Sequence, residues 1–187
     1  MDILVSNERN DMRKSVWLFV ALAAAALTFG ASIAVAAVNV KSFPTASFSG
    51  DTVTLTGGNF SGLGSVPAIA EFQATAGFAT YTCTNQGGNQ APGQNPVPAQ
   101  PGSVSTADLG NADHNGRGTI SNLSASVVAP PTPTAQQVGC GGGGSQNWTV
   151  TLNTLTATAA HLEITQNGVT VFCRNYTLGG PAIGTAY

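Results

Sequence analysis

Short segments in which polar and apolar residues alternate recur along the chain after residue 37. In Trp148-Thr-Val-Thr-Leu152, for example, every second residue is apolar. A period of two places alternate side chains on opposite faces of a β-strand, and no segment after residue 37 shows the 3.6-residue period of an amphipathic helix. The predicted strands cover residues 38–43, 46–49, 52–56, 68–84, 118–128, 148–152, 155–165 and 169–176.

Turn residues separate the predicted strands. Gly57-Gly58 ends the third segment, and we expect a break near Gly77 that divides residues 68–84 into two strands. Asn167-Gly168 predicts a two-residue hairpin turn, because Asn and Gly accept the positive φ angles that such a turn requires. About eight short strands separated by turns predict an all-β fold, specifically an immunoglobulin-like antiparallel β-sandwich. The large side chains expected in its core are Phe72, Phe78, Tyr81, Trp148 and Phe172.

The first 36 residues are predicted to form an N-terminal signal helix for export. Residues 16–38 contain no charge, Arg13 and Lys14 precede them, and Ala34-Val-Ala36 is the small-x-small sequence that signal peptidase cleaves. The alternative is an uncleaved membrane anchor, because about 20 apolar residues can span a bilayer. We favour cleavage after Ala36, which leaves residues 37–187 as a single domain of a secreted, extracellular or surface-associated protein.

The start of the chain is unusual for an export signal. Residues 1–11 have mixed charge and make a long lead-in, whereas Met12 is followed directly by basic Arg13 and Lys14. A positively charged first region is typical of signal peptides, so Met12 is our candidate for the true start.

Charged residues are scarce in the whole chain. Asp, Glu, Lys and Arg make up 7% of it, whereas an average soluble domain has about 25%. Thr, Ser, Asn, Gln and the backbone must therefore supply most of the wetted surface. The formal net charge of −2 offers no basic patch, so nucleic acid is not an expected partner. The 42% of hydrophobic residues argues against a disordered chain.

Two long segments rich in Gly, Pro and amide residues interrupt the strands, residues 85–104 and residues 129–147. Loops of this length are usually either functional or mobile. Asn and Gln side chains can hydrogen-bond to sugars or to peptide backbone without carrying charge. The first segment is thus a candidate binding loop, with the contact residues Asn85, Gln86, Asn89, Gln90, Gln94 and Asn95.

The exported part contains all three cysteines, and an odd number allows at most one internal disulfide. A Cys83–Cys140 bond would tie the two long segments to one end of the domain and would leave the Cys173 thiol outside the disulfide. A Cys83–Cys173 bond is the alternative, because both residues lie in similar Thr-containing segments that neighbouring strands can bring together. A disulfide is expected in the oxidising environment outside the cytoplasm.

Two segments resemble those of a family of uncharacterised exported bacterial proteins. Residues 83–95 follow its Cys-Thr-Asn-x-Gly-Gly-Asn-x-Ala-Pro-Gly-Gln-Asn motif, and Cys140 comes shortly before Asn147-Trp-Thr149, as a later cysteine precedes an Asn-Trp-Thr strand in that family. The resemblance implies a pairing of Cys83 with Cys140 and implies no particular activity. The glycine run after Cys140 and the presence of Cys173 depart from the family's pattern.

Two segments contain candidate metal ligands. Asn111-Ala-Asp113-His-Asn115-Gly116 matches the start of a calcium loop, in which oxygen ligands alternate before a glycine turn. The acidic residue that closes such a loop is missing, since Asn122 occupies the twelfth position, and we favour a simple turn. His161 and Glu163 share one face of a predicted strand, but two ligands are too few for a metal site. We therefore expect no bound metal and no cofactor.

The sequence carries no motif of an enzyme. It has no Gly-x-Ser-x-Gly segment, and nothing near Cys173 or His161 supports their action as nucleophile and base. Threonines recur at alternate positions, as in Thr80-Tyr-Thr-Cys-Thr84, and a flat array of them can bind ice or a polysaccharide surface. We favour the simpler interpretation, the polar face of ordinary strands, where Thr is common.

Three classes of function follow from these features. The first is a non-enzymatic β-sandwich that binds or adheres to a glycan or protein surface through residues 85–104. The second is a self-assembling structural protein of an envelope or extracellular filament, which exposed strand edges, low charge and the Cys173 thiol would permit. The third is an enzyme with an unrecognised site. We favour the first, with membrane contact only through an uncleaved signal segment.

Overall fold

A computed structural model of the protein describes residues 38–64, 67–109, 116–141 and 147–186, and the predicted signal of residues 1–36 lies outside them. No helix within these ranges is long and apolar enough to cross a membrane. The strands within them, in chain order, are β1 Asn39–Ser42, β2 Thr45–Ser49, β3 Thr52–Thr56, β4 Asn59–Ser61, β5 Ala68–Asn85, β6 Gln90–Pro92, β7 Val97–Pro98, β8 Ser105–Asp108, β9 Gly118–Thr119, β10 Asn122–Ser126, β11 Trp148–Gln166, β12 Val169–Thr177 and β13 Ile183–Ala186.

The strands form three sheets. The largest has the order β13-β12-β11-β5-β6, and β7 and β8 also pair with β5. The two smaller sheets have the orders β10-β3-β2 and β1-β4-β9. Every strand pairing within the described residues is antiparallel. The predicted all-β fold with antiparallel sheets is confirmed.

The two longest strands, β5 and β11, pair along their whole length and form a ribbon. Register shifts near residues 153 and 158 of β11 bend this ribbon without interrupting it. Near the second shift lies Gly77, where a Cβ atom would be only 2.4 Å from the carbonyl oxygen of Thr156. The predicted break near Gly77 is wrong. The register shifts occur within a continuous pairing, and β5 is one strand of 18 residues. The two segments predicted after residue 147 are likewise one strand, β11.

The bend divides the ribbon into two halves. The core half contains residues 68–77 of β5 and 157–166 of β11, and the disulfide half contains residues 78–85 and 148–156. Side chains of the core half, of the adjacent strand β12 and of both smaller sheets form one buried cluster, which includes Val53, Leu55, Phe60, Phe72, Leu123, Leu162 and Phe172. The main hydrophobic core therefore lies where the two smaller sheets meet the core half of the large sheet.

Tyr176 of β12 closes one edge of this core. Its ring packs edge-on against Phe72, with the centroids 6.4 Å apart, and its hydroxyl donates a hydrogen bond to the carbonyl oxygen of Pro44 at 3.2 Å. Burial raises the pKa of Tyr176 to about 12, and the positive charge of Arg174 partly opposes that rise. The Arg174 guanidinium in turn lies over the ring of Phe43, 4.1 Å from its centroid.

Three of the five aromatic residues predicted in the core are buried, namely Phe72, Tyr81 and Phe172. Trp148 is half-buried. Phe78 is 37% exposed, so its placement in the core is wrong. The bulges at the bend change which alternate residues of β5 face inward, and Phe78 falls on the outer face as a result.

The hairpin turn between β11 and β12 is confirmed. Asn167 has a φ angle of 50° and Gly168 one of 73°, and both are positive as a two-residue hairpin turn requires. On either side of the turn, Gln166 lies opposite Val169.

Candidate functional site

The disulfide between Cys83 and Cys140 joins the end of β5 to the segment that follows β10. Both residues are buried, and their Cα atoms are 6.2 Å apart. The pairing implied by the resemblance to exported bacterial proteins is confirmed. The two cysteines are 57 residues apart in sequence, and closing a loop of that length stabilises the fold by about 4 kcal/mol in the chain-entropy model.

A small buried cluster surrounds the disulfide. Ala79 and Tyr81 of β5 pack with Ala135 and Val138 from the second long segment. Trp148, at the start of β11, packs against this cluster and is half-buried. Residues 135–140 of the second long segment are therefore fixed on the disulfide half by buried contacts as well as by the covalent bond.

The first long segment, residues 85–104, contains two short strands that its sequence did not predict. After a tight turn it runs back along β5, where β6 and β7 both pair with that strand. The backbone amides of Gln94 and Asn95 donate to the carbonyl oxygen of Val138 at 2.8 and 3.1 Å, which links the first segment to the second. We call the disulfide half together with these two segments the disulfide end.

Five of the six predicted contact residues are exposed at the disulfide end. Gln86, Asn89 and Gln90 lie at the turn that follows β5, and Gln94 and Asn95 lie beside the second segment. The structure thus brings the predicted amides to one end of the molecule.

Asn85, the sixth residue, has a structural role in the turn. Its side-chain oxygen accepts a hydrogen bond from the backbone amide of Asn89 at 2.9 Å, and the two residues also bond through their backbones. The side-chain amide of Asn95 donates to the carbonyl oxygen of Gln137 at 3.3 Å. The side-chain amide of Gln86 donates to the side-chain oxygen of Asn147 at 3.4 Å. The segments are therefore cross-linked by side chains as well, and Asn147 is an amide that sequence reasoning did not include.

The disulfide end carries no charged side chain. Residues 72–107 and 118–160, which supply all of it, contain no Asp, Glu, Lys or Arg. The charged residues after residue 37 lie elsewhere in the sequence, at Lys41, Asp51, Glu71, Asp108, Asp113, Arg117, Glu163 and Arg174. The side chains at this end therefore offer only hydrogen-bonding and apolar groups.

A cleft of about 530 Å³ lies between the second segment and the start of β11. Small-molecule sites typically measure roughly 300 to 1,000 Å³. Trp148, which the sequence predicts in the core, is one wall of this cleft. The residues that line the cleft are Thr132, Pro133, Thr134, Ala135, Gln136, Trp148, Thr149 and Val150.

Paired threonines lie along the disulfide half of the ribbon, and one of them, Thr149, also lines the cleft. The pairs that lie directly opposite each other on β5 and β11 are Thr80 with Thr154, Thr82 with Thr151 and Thr84 with Thr149. The hydroxyls of the first pair are 2.6 Å apart and bond to each other. Such cross-strand bonds are common between strands, so the polar face of an ordinary sheet remains the favoured interpretation.

The other candidate residues lie on the outer face of the core half. His161 Nδ1 is 2.7 Å from the side-chain oxygen of Asn175, and Glu163 accepts a hydrogen bond from the hydroxyl of Thr170. Cys173, which is outside the disulfide, lies opposite Glu163 rather than His161. Among the described residues no three His, Cys, Asp or Glu side chains are grouped to hold a metal ion. Outside the described residues lie Asn111, Asp113 and Asn115.

No model of a protein family matches the chain, and no curated protein matches it. The similarity of residues 83–95 to exported bacterial proteins therefore stays a prediction beyond the disulfide that it implied.

Proposed function

We propose that the chain is an exported, non-enzymatic binding protein whose contact surface is the disulfide end. The observation that carries the proposal is the convergence of exposed, uncharged amides on two segments that a disulfide holds together. A surface fixed in this way loses little conformational entropy when it binds, because its backbone is already ordered.

The ligand of this surface is a neutral glycan or a protein backbone. Amide side chains both donate and accept hydrogen bonds, as sugar hydroxyls and peptide groups also do. A charged ligand would lose its hydration at this end without meeting an opposite charge, which costs free energy.

Secretion or display on a cell surface is part of the proposal. A buried disulfide fits an oxidising compartment, and the small-x-small sequence after an apolar run fits a cleaved export signal. The resemblance of residues 83–95 to exported bacterial proteins points the same way.

We also propose that the domain is a β-sandwich of the immunoglobulin-like kind. The support is the main buried cluster, to which the large sheet and both smaller sheets contribute. In such sandwiches binding residues commonly occupy the segments at one end of the sheets, as the amides do here.

A substitution experiment tests the binding function. The double variant Asn89→Ala/Gln90→Ala removes two exposed amides of the disulfide end, and Asn39→Ala/Asn122→Ala removes two exposed amides on β1 and β10 as the matched control. We expect only the first variant to lose binding on glycan and peptide arrays, by about tenfold or more. Substitution is preferable to deletion of residues 85–104, which would remove β6 and β7. Equal binding by both variants and the unaltered chain would refute the proposed surface.

Self-assembly is a second candidate function, and the strand β13 favours it. This strand is the edge of the large sheet, all four of its residues are exposed, and Ile183 is 69% exposed. The edge strand itself carries no charge, since residues 178–187 contain none, and such an edge can pair with the same strand of a second copy. Sedimentation of the unaltered chain and of Ile183→Lys distinguishes the cases: a monomer in both rules out assembly through β13.

A further inference from the structure

We infer that the cleft between Trp148 and residues 132–136 binds one ring of a neutral saccharide. The inference rests on the proposed binding function and names its ligand class. An aromatic wall, a rim of uncharged hydrogen-bonding groups and the absence of charge at the disulfide end carry it together.

Trp148 supplies a flat apolar wall that is already held in place. Trp148 packs against the buried cluster around the disulfide, and it also lines the cleft. The indole lies close to Gly141, where a Cβ atom would be 2.9 Å from Nε1, so only glycine lets the backbone pass there. A ring fixed in this way loses little entropy when a ligand stacks on it. The C–H face of a sugar ring is a flat apolar partner of matching kind.

Uncharged polar groups surround that wall. Thr132, Gln136 and Thr149 are exposed and line the cleft. Thr134 is fixed by its neighbour, since its backbone amide and its hydroxyl both donate to the side-chain oxygen of Gln137, at 2.8 and 3.1 Å. Hydroxyl and amide groups can each donate and accept, which suits the rim of hydroxyls around a sugar ring.

The observations favour a saccharide over a peptide. An extended peptide that adds to a sheet edge is held by main-chain hydrogen bonds and needs neither an aromatic wall nor a polar rim. The cleft has both features, and they match a ligand that is apolar on its face and polar around its edge. An acidic saccharide is excluded as the preferred ligand, because no cationic side chain lies between residues 118 and 160.

Tryptophan fluorescence gives a direct test, because the chain has only two tryptophans, Trp17 and Trp148. In the full chain carrying Trp17→Phe, all tryptophan emission comes from Trp148. The probes are cellohexaose, maltohexaose and N-acetylchitohexaose, with a hexamer of galacturonic acid as the charged comparison and an uncharged Gly-Ser-Thr dodecapeptide as the peptide comparison. We expect a saturable change in emission with at least one neutral hexasaccharide. The galacturonic acid hexamer and the dodecapeptide should each give a markedly weaker response.

Variants of the cleft then separate stacking from general damage. Isothermal titration calorimetry measures the affinities of these variants, because replacing Trp148 removes its emission. Trp148→Ala should weaken binding of the responding hexasaccharide on the order of 10- to 30-fold, and Trp148→Phe should recover part of the loss. Gln136 is exposed, so Gln136→Arg places a larger side chain in the cleft without replacing a buried residue. This variant should weaken binding to a similar extent. The matched control is Leu152→Ala, which shortens a 43% exposed side chain of the same strand outside the cleft and should leave affinity unchanged.

The outcomes distinguish this inference from the proposed function. Loss of array binding in Asn89→Ala/Gln90→Ala, with no change in Trp148 emission for any hexasaccharide, would overturn the saccharide cleft and leave the amide surface standing. A stronger response to the dodecapeptide than to every hexasaccharide would also overturn it. Absence of both array binding and an emission change would refute the two proposals together.

Discussion

The two halves of the β5–β11 ribbon are stabilised in different ways. The core half lies under two further sheets and contributes to a cluster of 22 buried residues among those that the structure describes, whereas the cluster of the disulfide half has six on the same basis. The segments that cover the disulfide half are rich in Gly, Pro and amides and offer few large apolar side chains. A cover of this kind cannot bury enough apolar surface, so a covalent bond supplements it, as in small domains with insufficient cores.

The disulfide half is thus ordered with only a small buried cluster. The core half supplies stability through burial and carries the charged residues Glu71 and Glu163 on its outer face. The disulfide half needs little burial and can devote its exposed side chains to uncharged contact groups.

The largest expected effect is a loss of stability from the main buried cluster, which the core half shares with β12. Phe172→Ala removes a fully buried ring that packs against Phe60 at 5.2 Å between centroids, and should cost about 3–5 kcal/mol of the free energy of unfolding. Urea denaturation measures this cost. The control is Phe78→Ala, at an exposed position where we expect a loss below about 1 kcal/mol. Similar costs for the two variants would contradict the placement of the main core.

The next effect should be confined to the disulfide half. Cys83→Ala/Cys140→Ala removes a bond whose loss typically costs about 2–5 kcal/mol. We expect amide hydrogen exchange to rise in residues 79–85 and 129–141 and to change little in β3 and β10. Cys173→Ala, which alters a thiol outside the disulfide, serves as the control. A uniform rise in exchange across β3, β10 and the disulfide end would show that the two halves are not separately stabilised.

The smallest effect concerns alkaline pH and the core half. The pKa of Tyr176 is about 12 in the folded protein, against about 10 in an unfolded chain, so the folded state keeps this proton longer. The contribution of the protonated Tyr176 to the free energy of unfolding is therefore complete below pH 10 and is lost as the pH rises towards 12. Tyr176→Phe should cost about 1 kcal/mol at neutral pH, through the lost bond to Pro44, and should remove this part of the alkaline decline.

Tyr81→Phe is the matched control in the disulfide half, because the Tyr81 hydroxyl is buried without a hydrogen-bond partner among the described residues. Urea denaturation at pH 7 should show no loss of stability for Tyr81→Phe. Urea denaturation at pH 7 and pH 11 also measures the alkaline decline of Tyr176→Phe and of the unaltered chain. An alkaline decline in Tyr176→Phe as steep as in the unaltered chain would contradict the assignment to Tyr176.

Local sequence patterns predicted much of the fold. Alternation located β3 from Thr52 to Thr56, and the positive φ angles that Asn167 and Gly168 accept located the last hairpin. Both features depend on residues that are adjacent in sequence. The cysteine count left two pairings open, and a resemblance to other sequences, rather than the residues alone, implied the correct one.

Features that depend on tertiary contacts were missed. Strands β6 and β7 lie in a Pro- and Gly-rich segment without alternation, because the edge of β5 supplies their pairing partners. Phe78 alternates like a core residue, but the bulges at the bend turn it outward. Trp148 was predicted in the core, and only the fold of residues 132–136 beside it makes it a wall of a cleft. The proposed binding amides were found from composition, whereas their position at one end depends on the pairing of β6 with β5 and on the backbone bonds to Val138.

The continuity of β5 and β11 through the bend has a consequence for protein engineering. Each strand contributes to both halves, so the polypeptide cannot be cut at one point to separate the disulfide half from the core half. Transplanting residues 85–104 alone to another scaffold would leave behind the strand that orders them. A functional graft must carry both long strands, and a library of new specificities is better built by varying exposed side chains on the intact chain.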